Sequence, residues 1–411
     1  MNATLATDWP SPGLHSILDD KFTLRDSERM PTGPRTTAAL RASNQSRVVR
    51  VVREAGGLSQ VEIARLTQLA PATVSGIIRE LVDAGFLDSQ AGSGRRGAIV
   101  TVSPGAGVVA GVDFGHSHLQ VALADLAGHI RAACVVPLAP DASSDHALDL
   151  ARQMIDDLLG DGGLTHDDLR AVGMAIPAPI GRDGIIDSGS ILPGWVGVDA
   201  RSAAEKAFEC PVVVDNDANL SALAEWTRGA GRGHEDLVYI KIASGVGCGL
   251  VLGGRVHHGG LGTAGELGHL TMDESGPLCR CGSRGCLEAY VGGAALIAQF
   301  APMGGQVDVP GFVERALHGD QGARRLIEDA GRHLGEAVAT VANLLGPEVV
   351  VIGGELAAAG DVLLDEVRAS MRRHALTPVA RQVRVTASEL DERPSCVGSV
   401  LLALDAVELP R

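Results

Sequence analysis

Lysine is nearly missing from this chain: three lysines stand against 32 arginines, a bias read as genome composition rather than function. Aromatic residues make up only 3% while glycine reaches 53 of 411. That mix suits tight turns and close backbone approaches and argues against an aromatic ligand cage. No run of about 20 apolar residues occurs, so no membrane span is expected. The opening stretch MNATLATDWPSPGLH has no basic start followed by an apolar core. No secretory signal is therefore expected, and a cytoplasmic location follows. The seven cysteines are odd in number, which without an export signal argues against a disulfide framework.

What is present is a globular composition, 45% hydrophobic and 21% charged, with length for two or three domains. A net charge of −15 argues against a protein that coats nucleic acid all over. The balance is uneven. Residues 41–100 hold eight arginines against five acids, a net of +3; residues 1–40 carry −1, which leaves about −17 for the rest. A small basic module joined to a large acidic one is the expected layout, with the first part binding a polyanion.

Residues 1–40 lack periodicity and are rich in Pro, Thr, Ser and charge, so a disordered arm is expected there. Residues 41–103 read as a DNA-binding domain. Val48, Val51 and Val52 form a helical stripe broken at Gly56-Gly57. Ser59 and Glu62 have capping-box spacing for a second helix. Pro71 suits a first helical position, and Val74, Ile77, Ile78, Leu81 and Val82 mark one apolar face. Gly85 ends that helix, and FLDSQ, AGSGRRG and AIVTV read as a β-hairpin. Three helices and a hairpin predict a winged helix-turn-helix whose last helix enters the major groove of double-stranded operator DNA. Its exposed side holds Ala72, Thr73, Ser75, Gly76 and Arg79; Arg95 and Arg96 at the wing tip reach phosphate or the minor groove. A dimerisation module is the competing reading, and the basic wing argues against it.

Residues 107–411 alternate strands and helices with glycine turns at strand ends, the pattern of an α/β fold. Three such turns draw attention: Asp113-Phe114-Gly115, Ala243-Ser244-Gly245-Val246-Gly247 and Ile352-Gly353-Gly354-Glu355. Glycine lets backbone N–H groups approach phosphate, so Asp113, Gly115, Gly245, Gly247, Gly353 and Gly354 are the candidate nucleotide-binding residues. In Asp215-Asn216-Asp217-Ala218-Asn219 an acid at a strand end can take a proton from a hydroxyl, or merely cap the next helix. Finally, Gly265-Glu266-Leu267-Gly268-His269 precedes Cys279-Arg280-Cys281-Gly282-Ser283-Arg284-Gly285-Cys286-Leu287-Glu288. One histidine and three cysteines complete a tetrahedral site; with all four positions filled by protein, the metal is structural and activates no water. Cys134, Cys210, Cys248 and Cys396 are expected to pack as small apolar residues.

The DFG loop, the NDAN segment, GELGH and CRCGSRGCLE together resemble the ROK family, named for repressors, open reading frames and kinases. The resemblance covers about 44–411. It implies an actin-like, two-lobed sugar-binding domain over 107–411, commonly dimeric or tetrameric, with a sugar or sugar phosphate in the cleft. The winged helix points to the family's transcriptional-regulator branch, which includes xylose and N-acetylglucosamine repressors. Carried over by motif, His269, Cys279, Cys281 and Cys286 bind zinc in a loop at 266–288, and Asn216, Asp217, Glu266, His269 and Glu288 contact sugar hydroxyls. His269 does both. In kinase members the acid matching Asp217 is the catalytic base. One departure stands out: the first phosphate loop usually reads Asp-x-Gly-Gly-Thr, but here His116 follows Gly115, and a side chain there takes space that glycine leaves for phosphate. The expectation is a sugar-responsive repressor with little or no kinase activity; an active ATP-dependent sugar kinase is the alternative.

Overall fold

The computed structural model describes residues 37–90, 97–181, 184–186, 192–390 and 394–410. Ala38, Ala39 and Leu40 are good helix formers, and α1 (Thr37–Ala55) accordingly begins inside the stretch expected as arm. Its Val48, Val51 and Val52 are buried. After Gly56-Gly57 comes β1 (Leu58–Ser59), then α2 (Gln60–Thr67), which opens on the predicted Ser59–Glu62 capping box. α3 (Pro71–Asp83) starts on Pro71 after an Ala70 that offers no side-chain cap. Val74, Ile77, Ile78 and Leu81 face inward. β2 (Leu87–Gln90) and β3 (Ile99–Val102) form the wing, and β3 also pairs with β1. The sheet is therefore three-stranded rather than a plain hairpin; a two-residue strand is too short to show alternation.

The first lobe comprises β4 (Val108–Phe114), β5 (His118–Asp125), β6 (Ile130–Pro137), α4 (Ser144–Asp161), β7 (Leu169–Ile176), α5 (Ala200–Phe208) and β8 (Val212–Asn216). Its sheet runs β6-β5-β4-β7-β8, antiparallel from β6 to β4 and parallel from β4 to β8. Helix α6 (Asp217–Arg228) follows β8 without a loop. The second lobe comprises β9 (Leu237–Ile242), β10 (Val246–Val251), α7 (Glu288–Val291), α8 (Gly293–Gly304), α9 (Val309–Leu317), α10 (Gln321–Leu345), β11 (Val349–Gly353), α11 (Asp361–His374), α12 (Thr377–Gln382) and β12 (Arg384–Ala387). Its sheet order is β10-β9-β11-β12. The chain returns to the first lobe in α13 (Pro394–Ala406).

Four layers join the lobes: the first sheet, α13, α6 and the second sheet. Missing side chains bring them together. A Cβ at Gly173 of β7 would lie 1.9 Å from the Ser399 carbonyl oxygen; one at Gly398 of α13, 2.0 Å from that of Leu220; one at Gly249 of β10, 2.3 Å from that of Ala218. The winged-helix segment is not a detached bead. One hydrophobic cluster runs from Val52, Ile63 and Leu81 into Val109, Ala124, Val400 and Leu404. Arg53 of α1 seals this contact, donating to the carbonyls of Leu126 at 3.0 Å and Leu404 at 3.2 Å.

Candidate functional site

The layers converge at one end of the cleft, where each contributes a polar side chain. β4 brings Asp113, α13 brings Ser395, α6 brings Asp217 and β9 brings Lys241. The Ser395 hydroxyl donates to Asp113 Oδ2, and His118 Nε2 lies 3.8 Å from the same oxygen. Lys241 Nζ donates to Asp217 Oδ2 at 2.7 Å. Burial alone would raise the Asp113 carboxyl, but His118, Lys241 and Ser395 outweigh it and hold it below the ordinary aspartate value. Burial likewise works to discharge Lys241, and the charges of Asp217 and Asp113 reverse that and push it above the ordinary lysine value. Asp113 Oδ1 is buried with no hydrogen-bond partner among the described residues.

Capping of α6 falls to Asn216. Its Oδ1 accepts from the N–H groups of Ala218 at 2.9 Å and Asn219 at 3.4 Å, which leaves Asp217 to Lys241. Asp215, the last acid of β8 before Asn216, holds Asn219 Nδ2 at 2.9 Å and meets His258 Nε2 at 2.7 Å across the cleft. That contact raises His258 above the ordinary histidine value against the opposing effect of burial. Asn216, Asn219 and Glu266 line one small cavity together with Thr263 and Cys248. Glu266 is raised above the ordinary glutamate value, chiefly by burial, with Glu288 and Asp217 adding to the rise.

Glu288 is held more firmly than its motif suggests. Arg280 grips it with two hydrogen bonds of 2.7 Å, and the Val246 N–H adds a third at 3.0 Å. Burial works against the charge, but Arg280 and Val246 prevail and hold Glu288 below the ordinary glutamate value.

The donor atoms of His269, Cys279, Cys281 and Cys286 lie within 4.8 Å of one another. Cys281 Sγ and Cys286 Sγ are 3.7 Å apart, and Cys279 Sγ is 3.8 Å from His269 Nδ1. Tetrahedral zinc with bonds of about 2.3 Å to sulfur requires sulfurs roughly 3.8 Å apart, so the donor set and its spacing fit that ion. The other ring nitrogen of His269 points toward Glu266, 3.9 Å from Oε2. The loop also has a backbone frame. Cys279 N–H donates to Ser283 O at 2.8 Å and Leu287 N–H to Leu270 O at 2.8 Å. Gly285 is required by its φ of 64° and by the Asp273 carbonyl oxygen, 1.6 Å from where a Cβ would sit.

Protein atoms account for the glycines of the three candidate phosphate turns. A Cβ at Gly115 would strike the His118 ring at 2.1 Å. At Gly245 it would meet Arg280 at 2.1 Å and Glu288 at 2.5 Å, and at Gly353 the Tyr239 hydroxyl at 2.1 Å. Gly247 packs on Ala218, and Gly354 has a φ of 85° against the Ile242 backbone. His116 is exposed on the first of these turns.

On α3, Ala72, Thr73 and Arg79 are exposed, and Ser75 and Gly76 half-buried, away from the Val74 stripe. Glu80, an acid on the same helix, is paired with Arg41 of α1. Arg95 and Arg96 lie outside the described residues. Sequence reasoning missed Lys241, Arg280, Asn219 and the Asp215–His258 pair. A lone cation in the apolar strand LVYIKI, directly before a glycine turn, was the available signal for Lys241.

The ROK family profile matches residues 109–406 and the MarR family profile residues 41–97. The chain is 32% identical over 389 residues to the DNA-binding transcriptional dual regulator NagC of Escherichia coli, covering 89% of this chain and 93% of that protein. A crystal structure of a ROK family transcriptional regulator, a homologue of the E. coli MLC protein, superposes with a TM-score of 0.74 at 25% identity, over 89% of this chain and 99% of the other. A ROK family glucokinase from Streptomyces griseus, solved with glucose and AMPPNP, has a TM-score of 0.65 at 28% identity, over 72% of this chain and 99% of its own. The glucokinase match leaves part of the chain uncovered; the regulators cover more.

Proposed function

The chain belongs to the ROK family, and from that premise we propose that it is a sugar-responsive DNA-binding transcriptional regulator, a repressor of carbohydrate uptake or metabolism genes. The observation that carries this reading is the hydrophobic continuity between the winged helix and the first lobe, which ties the DNA-contacting helix to the cleft. Thr73, Ser75 and Arg79 read base edges, and Arg95 and Arg96 hold backbone phosphate. Asn216, Asp217, Glu266, His269 and Glu288 grip sugar hydroxyls. Cys279, Cys281, Cys286 and His269 hold a structural zinc, which fixes the loop carrying Arg280 and the His269 ring. The protein acts in the cytoplasm as a homodimer or homotetramer on a pseudo-palindromic operator, with half-sites about 10 base pairs apart or a multiple of that.

Sugar binding changes the separation of the lobes, and operator affinity shifts by the difference in affinity of the two states for sugar, typically ~1–3 kcal/mol. Phosphotransfer is not part of this function. The first glycine turn carries the exposed side chain of His116 where a phosphate would need room. The test is a gel shift with upstream DNA, with and without a panel of sugars, alongside ATP consumption with the same panel. Sugar-dependent release of DNA with negligible ATP turnover is expected. Turnover near the ~10 s⁻¹ typical of enzymes without specific DNA binding overturns the reading.

A further inference from the structure

Gly76 is a helix-interior glycine that nothing among the described residues requires. It sits in the middle of α3 and its φ is not positive. A Cβ built on it would meet no heavy atom within 4 Å beyond its chain neighbours and its own helix backbone. Glycines inside other helices are explained by their surroundings. A Cβ at Gly331 or Gly335 of α10 would lie 2.7 or 2.5 Å from a side chain of α11, and one at Gly398 of α13 would lie 2.0 Å from the Leu220 carbonyl oxygen. Glycine weakens a helix interior relative to alanine, so a bare backbone at Gly76 fits a close approach from outside the chain.

We propose that this bare stretch of α3 receives the major-groove edge of one A·T base pair, with the thymine methyl seated over Gly76 and Asn44 of α1 hydrogen-bonded to the paired adenine. The inference rests on the regulator reading and names a feature of the DNA that it reads.

The first support is shape. Gly76 lines a groove of about 290 Å³ between α1 and α3, together with Leu40, Asn44, Ala72, Thr73 and Ile77. Three of these are apolar and suit a methyl group. Leu40 stands 43% exposed, a surface that a thymine methyl would help to cover.

The second support is hydrogen-bond pattern. Asn44 is half-buried in the groove, and its side-chain amide has no hydrogen-bond partner among the described residues. An amide offers a donor and an acceptor side by side, which match adenine N7 and N6. Guanine presents two acceptors and is met by Arg or Lys. The cation that lines this groove, Arg41, is already paired with Glu80.

The third support is charge. The Arg41–Glu80 pair leaves the groove without net charge, so a backbone phosphate finds no free cation there among the described residues. Glu80 is not open to a cytosine amine either, because Arg41 holds its Oε1 and Gln45 Nε2 lies 3.4 Å from its Oε2. A neutral base edge fits where a phosphate does not.

The full chain is used to select its operator from random duplexes, and affinity is then measured on the selected sequence. Each half-site is expected to hold one thymine whose replacement by uracil, which removes only the methyl, weakens wild-type binding roughly threefold to tenfold. Gly76→Ala fills the bare site with a methyl of its own. It is expected to keep or slightly raise the melting temperature, to lower operator affinity roughly tenfold or more, and to bind the thymine and uracil operators alike. Asn44→Ala is expected to keep the wild type's salt dependence and to lose its preference for adenine at the paired position. An operator in which no uracil replacement weakens the wild type overturns the proposal. So does a folded Gly76→Ala that binds as tightly as the wild type or still separates thymine from uracil, and so does an Asn44→Ala that keeps the adenine preference. A wild type that selects no sequence at all sinks the regulator reading, and this inference with it.

Discussion

Arg280 sits between two cysteines, where a motif search sees only a spacer, yet it is the main partner of Glu288. Hydrogen bonds to charged groups contribute about 1.5–3 kcal/mol each. Arg280→Ala is therefore expected to weaken sugar binding roughly tenfold to a hundredfold, while operator affinity without sugar stays unchanged; a sugar titration of operator release checks both. The Asp215–His258 pair has a definite pH sense. His258 is raised in the folded chain, so its contribution is complete below the unfolded value of about 6.5 and fades as pH rises through the folded one. The melting-temperature gap between the wild type and His258→Gln is expected to be wider at pH 6 than at pH 8.5. At this scale the sequence was legible where a motif names a residue by type and order, as for His269, Cys279, Cys281 and Cys286, whose donor atoms cluster. It was not legible for Lys241 or Arg280, whose importance comes from contacts 24 and 8 residues away in the chain.

Elements were legible in proportion to their periodicity. The Ser59–Glu62 box and the Val74 to Leu81 stripe placed α2 and α3, because a cap and an amphipathic face are local properties. α13 gave no such signal. Its PSCVGSVLLALDA is buried on nearly every side, and a helix enclosed all round loses the polar face that reveals it. The cysteine loop has a backbone frame of its own, with bonds from Met272 to Gly285 and from Leu287 to Leu270. Cys281→Ser, or strong chelation, is expected to disturb the His269 ring and the Arg280 grip on Glu288 and so to abolish the sugar response. The winged helix should remain able to bind operator. Metal content per chain, measured with sugar-induced release, decides; under half an equivalent of zinc with a normal response refutes it.

For the whole molecule, the helix-and-hairpin pattern of residues 41–103 and the ROK signatures were enough to anticipate a winged helix ahead of a two-lobed domain. They said nothing of how the parts join, since that depends on side chains of α1 and α13 that are about 350 residues apart. Arg53 is the polar clasp of that junction, also lying 3.6 Å from Asp405. Arg53→Ala is expected to leave sugar affinity and DNA affinity each nearly intact while reducing the linkage between them. Operator titrations with and without saturating sugar measure it; an undiminished shift excludes this route.

The clasp also sets an order of events during synthesis. The winged helix is made first, yet its core includes Val400, Ala403, Leu404 and Val407, which are made last. A nascent chain emerging from the ribosome therefore carries a reading head with an open apolar flank until α13 arrives. Operator recognition is expected to mature only when the winged helix and α13 have met, so a chain truncated before α13 is left with that flank uncovered, a target for chaperones and proteases rather than an unregulated repressor.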